Sequence, residues 1–168
     1  MKKNTISLVL CTVLILSLLA ACGGAGGSKS AYRDDVPVSE IGAAIDTELE
    51  SGPDMIELSE TYIDGSMKMD VSDFEEYCVK IATKGVSIDE YGVFKGLDAK
   101  HAKTIEAAAK DYLKSRIDTW MSEYRPEEYP KLENAEVRVC GNYVMYAILS
   151  DSERAAAFDT FEASLKAE

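Results

Sequence analysis

Apolar and polar residues alternate along this chain with several different periods, and each period predicts a different kind of element. Ile6 through Leu19 form a nearly unbroken apolar run behind Lys2 and Lys3. A Gly-rich, polar stretch follows, and the spacing turns helical after Pro37, where Val38, Ile41, Ala44, Ile45 and Leu49 predict a short helix stopped by Gly52-Pro53. Residues 54–73 carry the weakest pattern; Met55, Ile56, Leu58 and Tyr62 suggest a helical turn or two before the Asp64-Gly65 turn. Between Glu76 and Ala82 the period is two, with Tyr77, Val79 and Ile81 on one face and Cys78, Lys80 and Ala82 on the other. Glu90 to Lys95 is a second β-rich run, so the two predict a hairpin. A tight Lys84-Gly85 turn and a longer loop through Ser87-Ile88-Asp89 would give it different registers.

Asp98 is a suitable N-cap for one long amphipathic helix, whose buried-side positions recur from Ala102 through Ile105, Ala109, Tyr112, Leu113, Arg116, Ile117, Trp120 and Met121 to Tyr124, with Pro126 ending it. A polar loop through Lys131 leads to a second hairpin, in which Ala135, Val137 and Val139 alternate with Glu136, Arg138 and Cys140. A two-residue Gly141-Asn142 turn sets Val139 opposite Val144 and Val137 opposite Tyr146. Asp151 or Ser152 caps a last helix with the buried stripe Ala155, Phe158, Phe161 and Leu165. The expected fold class is therefore α+β: two antiparallel β-hairpins form a sheet of about four strands, one face of which is covered by the long central helix and the C-terminal helix.

The N-terminal run changes the picture from a plain domain to a tethered one. Its apolar length falls short of the ~20 residues a spanning helix needs, and small residues follow at once, as in an export signal. The boundary Leu19-Ala20-Ala21-Cys22 resembles the bacterial lipobox, in which a thiol takes a diacylglycerol before the peptidase cuts ahead of it. The sequence thus divides into a lipoprotein signal peptide (1–21), a lipidated Cys22 with a flexible linker (22–36) and a single extracytoplasmic domain (37–168). Two or more acyl chains, palmitate among them, anchor stably where one is marginal. Gly23-Gly24-Ala25-Gly26-Gly27-Ser28 is coil by composition, and the ~12 residues to Asp34 reach roughly 20 Å.

Charge then narrows the partners. The chain carries 18 basic and 30 acidic side chains, a net −12. Cleavage before Cys22 removes two lysines and no acids, leaving a net −14. Such an acidic body lacks the clustered Lys and Arg that hold nucleic acid, and it gains nothing from anionic lipid. Lipid, rather than electrostatics, is what would hold it at the cell membrane.

Several features carry the resemblance of this chain to a known family: Lys95 and Asp98 around the start of the long helix, Arg116, Tyr124-Arg125-Pro126-Glu127, Gly141-Asn142-Tyr143-Val144, Asp151 and Phe158. Their order and spacing resemble the small bacterial lipoproteins catalogued as domain of unknown function 4358. The resemblance implies a lipoprotein at the outer face of a Gram-positive type membrane and supplies no catalytic role for any residue.

Catalytic chemistry finds little footing. His101 is the sole histidine and reads as an exposed helix residue, and no Gly-x-Ser-x-Gly, His-Glu-x-x-His or Ser-x-x-Lys arrangement occurs. Asp64-Gly65-Ser66 through Asp73 lacks the order of a calcium loop. No metal, cofactor or enzymatic activity is expected. Cys78 and Cys140 are the two thiols left for a disulfide, which export permits, although two separate, partly buried thiols are the favoured reading because a bridge needs close Cα atoms. The binding candidates are Arg116, a guanidinium on the buried side of its helix that more often snorkels or pairs with an acid than holds a ligand carboxylate, and the loop residues Tyr124, Arg125 and Tyr129, types enriched where partners dock, although packing of the two tyrosines over the helix end is the favoured reading. The expected function is a lipid-anchored domain that binds another protein or an envelope component without catalysis, with a surface solute-binding module as the alternative.

Overall fold

The computed structural model describes residues 31–84, 87–121 and 123–167. The signal run, Cys11, the lipobox with Cys22 and most of the linker lie outside the described residues. The elements in chain order are α1 (Val38–Asp46), β1 (Met55–Glu57), α2 (Glu60–Gly65), β2 (Phe74–Ala82), β3 (Glu90–Gly96), α3 (Ala99–Asp118), α4 (Tyr129–Glu133), β4 (Glu136–Cys140), β5 (Tyr143–Ile148) and α5 (Asp151–Leu165). The class is α+β, built on one antiparallel sheet in the order β1-β2-β3-β5-β4.

The sheet has five strands rather than four. The extra one, β1, is only three residues long and pairs Ile56 with Ile81 at an edge. A strand that short shows no alternation to read. Helices also cover both faces of the sheet, not one. On one face α1 and α5 bring Ile41, Ile45, Phe158 and Phe161 against Tyr91, Val93, Tyr143 and Met145. On the other, α3 and the short helices bring Ile105, Ala109, Leu113, Leu132 and Ile63 against Phe94, Val144, Tyr146 and Ile148. The two central strands, β3 and β5, are therefore covered on both sides, and β5 is buried along its whole length. That is why Tyr143 to Ile148 reads as a continuous apolar run.

The β4–β5 register matches the expectation, with Val139 opposite Val144 and Val137 opposite Tyr146 across a turn in which Gly141 takes a φ of 61°. Only a residue tolerant of the left-handed region closes a two-residue turn of this kind. The β2–β3 hairpin uses the longer connection: Ile81 pairs with Glu90, and the Ala82 N–H donates to the Asp89 carbonyl.

Asp98 caps α3 as expected, accepting from the Lys100 and His101 N–H groups. Helix α3 ends at Asp118, not beyond Tyr124, because the Thr119 hydroxyl bonds the Ser115 carbonyl at the C-cap and the chain turns away. The stretch read as a polar loop contains α4, with Pro130 in its first turn, where its missing N–H is harmless. Ser150, rather than Asp151 or Ser152, caps α5: its hydroxyl accepts from the Glu153 N–H and donates to the Glu153 carboxylate. In that helix Ala157 is buried and Ala155 is exposed, the reverse of the expected stripe at that turn.

The two ends of the sheet differ in what they carry. At one end lie the Gly141-Asn142 turn and the start of α3, where the Gly96 N–H donates to the Asn142 carbonyl. The N-terminal segment joins the body at this end, since Tyr32 pairs with Lys166 and bonds Cys140. The packed body takes in Val36 as well, whose N–H and carbonyl both bond the buried Tyr143 hydroxyl, at 3.1 and 2.8 Å. At the opposite end are the start of β3, the end of β5 and the C-terminus of α3. Among the described residues, no helix is long and apolar enough to cross a membrane.

Candidate functional site

Strand alternation points Glu90, Gly92 and Phe94 of β3 toward the α3 face, beside Tyr146 of β5, which is paired with Gly92. Gly92 is required there: a Cβ would come within 2.4 Å of the Tyr146 ring. Helix α3 contributes Tyr112 and Arg116, one turn apart and so on one face of the helix. These three elements close around the Glu90 carboxylate, which is 2% exposed. Its Oε1 accepts from the Tyr146 hydroxyl at 2.6 Å and the Tyr112 hydroxyl at 2.7 Å, and its Oε2 accepts from Arg116 Nη1 at 2.5 Å. Arg116 Nη1 also donates to the Tyr112 oxygen at 2.7 Å.

A buried carboxylate survives only when paired and fully bonded, and here it has both a counter-charge and two hydroxyl donors. Burial, followed by the Glu90 charge, pushes the Tyr112 and Tyr146 hydroxyls well above the usual phenol range, so both stay protonated donors. Burial opposes the Arg116 charge, but the attraction of Glu90 more than offsets it and raises the guanidinium above its ordinary value.

A second charged cluster adjoins the first through the chain. Lys131 Nζ lies 2.7 Å from Asp89 Oδ1 and 3.1 Å from Glu128 Oε2, and Glu128 also accepts from the Ile88 N–H. Burial weakens the Lys131 charge, yet its bonds to Asp89 and Glu128 leave its pKa raised. Arg125 Nη2 lies 3.8 Å from Glu128, and Arg125 Nε lies 3.1 Å from Glu127. Arg125 holds a φ of 54°, in the left-handed region a non-glycine residue seldom occupies. Ion pairs thus run from Arg125 to Asp89, whose chain neighbour Glu90 begins the next pair.

The aromatic loop residues gather around a residue that the sequence pattern assigns to the helix interior. Tyr124 and Tyr129 sit with ring centroids 6.5 and 6.3 Å from Trp120. Tyr129 packs over the end of α3 and is half-buried, while Tyr124 is 55% and Met121 66% exposed. The structure therefore places Tyr124, Arg125 and Tyr129 beside one another at the α3 end of the sheet. Arg116 belongs instead to the buried network. The sequence pattern counts Trp120 and Met121 in the buried helical stripe; Trp120 is half-buried against the α3-side core, whereas Met121 is exposed.

Cys78 and Cys140 do not meet. They lie on β2 and β4, which two other strands separate, and both are free buried thiols. Neighbouring strands lie ~4.8 Å apart, so three such steps exceed disulfide reach. Burial pushes the Cys78 thiol up to about 11. His101 is half-buried rather than fully exposed, its Nδ1 2.7 Å from Asp98 Oδ1. Among the described residues, no group of three His, Cys, Asp or Glu side chains is placed to hold a metal ion.

Two hollows open at this same end. The larger, about 610 Å³, is lined by residues that include Glu48, Asp54, Lys84, Asp89, Lys131 and Glu153, with each lysine already paired to an aspartate. The smaller, about 200 Å³, is lined by Tyr62, Ile81, Ala82, Ser87, Ile88, Asp89, Glu90 and Arg116.

A family model described as Domain of unknown function (DUF4358) matches residues 48–149, more than half of the 168-residue chain. No curated protein and no solved structure matches it. The matched span holds all five strands and α3, and therefore the whole Glu90 network. Helices α1 and α5 fall outside it.

Proposed function

The chain belongs to the family described as domain of unknown function 4358, and on that premise we propose that it is a lipid-anchored extracytoplasmic domain that binds another protein or an envelope component without catalysing a reaction. One observation carries the anchoring: the apolar run ending in Leu19-Ala20-Ala21-Cys22, followed at once by a Gly-rich leash. A thioether-linked lipid at Cys22 holds a body of net charge −14 at a surface whose anionic lipids repel it.

The binding role draws support from the way the fold divides its two ends. The leash joins at the Gly141-Asn142 end, through Tyr32. The exposed Met121 and Tyr124, the half-buried Tyr129 and the two hollows collect at the other. Apolar and aromatic groups of this kind, set among Glu123, Arg125 and Glu127, have the composition of a contact surface rather than of a solvated loop.

The test is capture from a solubilised envelope fraction by the immobilised full chain, compared with a Met121→Glu, Tyr124→Glu double variant. The reading expects specific partners that the double variant fails to retain. Identical recoveries from both proteins would remove that surface from consideration.

A further inference from the structure

Arg116 is only partly used. Among the described residues, all its hydrogen bonds are made by Nη1, to Glu90 and Tyr112. A guanidinium carries five N–H donors in a fixed fork, so the donors on Nε and Nη2 have no acceptor among those residues. The side chain is 27% exposed, and it reaches solvent in the 200 Å³ notch. Ile81, Ala82 and Ile88 give the notch an apolar wall with Tyr62 beside them, and Ser87, Asp89 and Glu90 make the rest of its lining polar.

The acids at its floor are already satisfied. Glu90 takes both tyrosine hydroxyls and Arg116 Nη1, and Asp89 takes Lys131 Nζ at 2.7 Å. Glu90 is thereby compensated by Arg116, while Asp89 shares the Lys131 charge with Glu128. A hollow with one apolar wall and one preorganised guanidinium edge suits a planar anion attached to a small hydrocarbon body.

We propose that the notch between the 87–89 loop and the C-terminal turn of α3 binds a carboxylate borne on a small branched apolar group, with the free edge of Arg116 as the acceptor's partner and Ile81, Ala82 and Ile88 as its apolar seat. Glu90, Tyr112 and Tyr146 are positioning residues. They hold Nη1, and so aim the opposite edge of the fork outward. Two sources offer this chemistry: a free amino acid and the C-terminal residue of a polypeptide. The inference adds a ligand chemistry to the end of the molecule proposed above as the contact surface, and it does not depend on the lipid anchor.

The experiment is a calorimetric titration of the full chain in detergent with L-leucine and N-acetyl-L-leucine, each beside its amide, which lacks the carboxylate. The proposal expects at least one carboxylate to bind at least about tenfold more tightly than its amide. Binding of N-acetyl-leucine in preference to leucine assigns a polypeptide end, and the reverse assigns a free amino acid. Ala82→Phe, which fills the notch, should abolish binding, as should the double variant Glu90→Gln, Arg116→Gln, which removes the guanidinium while keeping hydrogen-bonding side chains around the tyrosines. No binding of either carboxylate, equal binding of the amides, or unchanged binding by the folded variants overturns the proposal. Should a variant fail to fold, the carboxylate-against-amide comparison on the unaltered chain decides. None of these results bears on whether Cys22 carries lipid, so failure here leaves the anchoring to its own test.

Discussion

Two faces of one sheet solve the same problem of burying a charged pair, and they solve it differently. On the α3 face Glu90 is 2% exposed, ringed by Tyr112, Tyr146 and Arg116. On the opposite face Asp46 of α1 pairs with Lys80 of β2, and Tyr91 donates to Asp46 at 2.7 Å. The chemistry is alike: an acid, a base and a tyrosine. What differs is water. The Asp46 and Lys80 side chains are 24% and 17% exposed, so solvent reaches both members of the pair, whereas in the other pair only Arg116, 27% exposed, meets water and Glu90 relies on its protein partners. A pair at the rim tolerates the loss of one member. A sealed acid does not.

Removing one base from each face separates the two arrangements most strongly. Arg116→Ala strands Glu90 without a counter-charge and should cost about 3–5 kcal/mol of folding stability, read as a drop in the urea midpoint. Partial rescue by a second Glu90→Gln change is expected, because the stranded charge, more than the lost contact, is what destabilises. If Arg116→Ala costs no more than the matching change on the other face, burial does not govern the difference.

Alkali offers an intermediate effect spread over both faces. Burial raises the pKa of Tyr112 and Tyr146 on one side and of Tyr91 and Cys78 on the other. In each case the folded state keeps a proton that the unfolded state gives up, so stability is full below the unfolded pKa and falls as pH rises above it. Cys78, pushed to about 11 from 9.0, and Cys140, also raised by burial, act first, and from about pH 9 upward each such group removes about 1.4 kcal/mol per pH unit. The three tyrosines join above about pH 10. Urea midpoints taken from neutral pH to about pH 10.5 should fall with increasing slope, and Cys78→Ser should make the fall shallower from about pH 9 upward. A flat profile would contradict the assigned burial. The smallest expected effect is Lys80→Ala, about 1 kcal/mol, because water can solvate the Asp46 carboxylate left behind.

Much of the scaffold that carries these two pairs is legible in the residues alone, and the limits are physical. The β4–β5 register follows from a two-residue Gly-Asn turn, which permits one pairing, and the start of α3 follows from Asp98, whose side chain satisfies otherwise orphaned N–H groups. The layering is not legible. Strands covered on both faces lose their alternation, so the run Tyr143 to Ile148 does not say that helices lie on each side. The end of α3 is disguised because Trp120 and Tyr124 keep helical spacing after the helix has stopped. Arg116 stands out as a guanidinium on an apolar helix face, but its acceptor, Glu90, lies 26 residues earlier in another element, and only the β2–β3 register aims it inward.

The proposed function rests above all on lipid at one sulfur atom, keeping this acidic domain at a membrane with the Trp120 end free to engage other molecules. Metabolic labelling with radioactive palmitate, comparing the natural chain with Cys22→Ser, puts that anchor to the test. Label is expected in the natural chain and none in the variant, with the variant leaving the membrane fraction. A labelled Cys22→Ser chain, or an unlabelled natural chain, would contradict it.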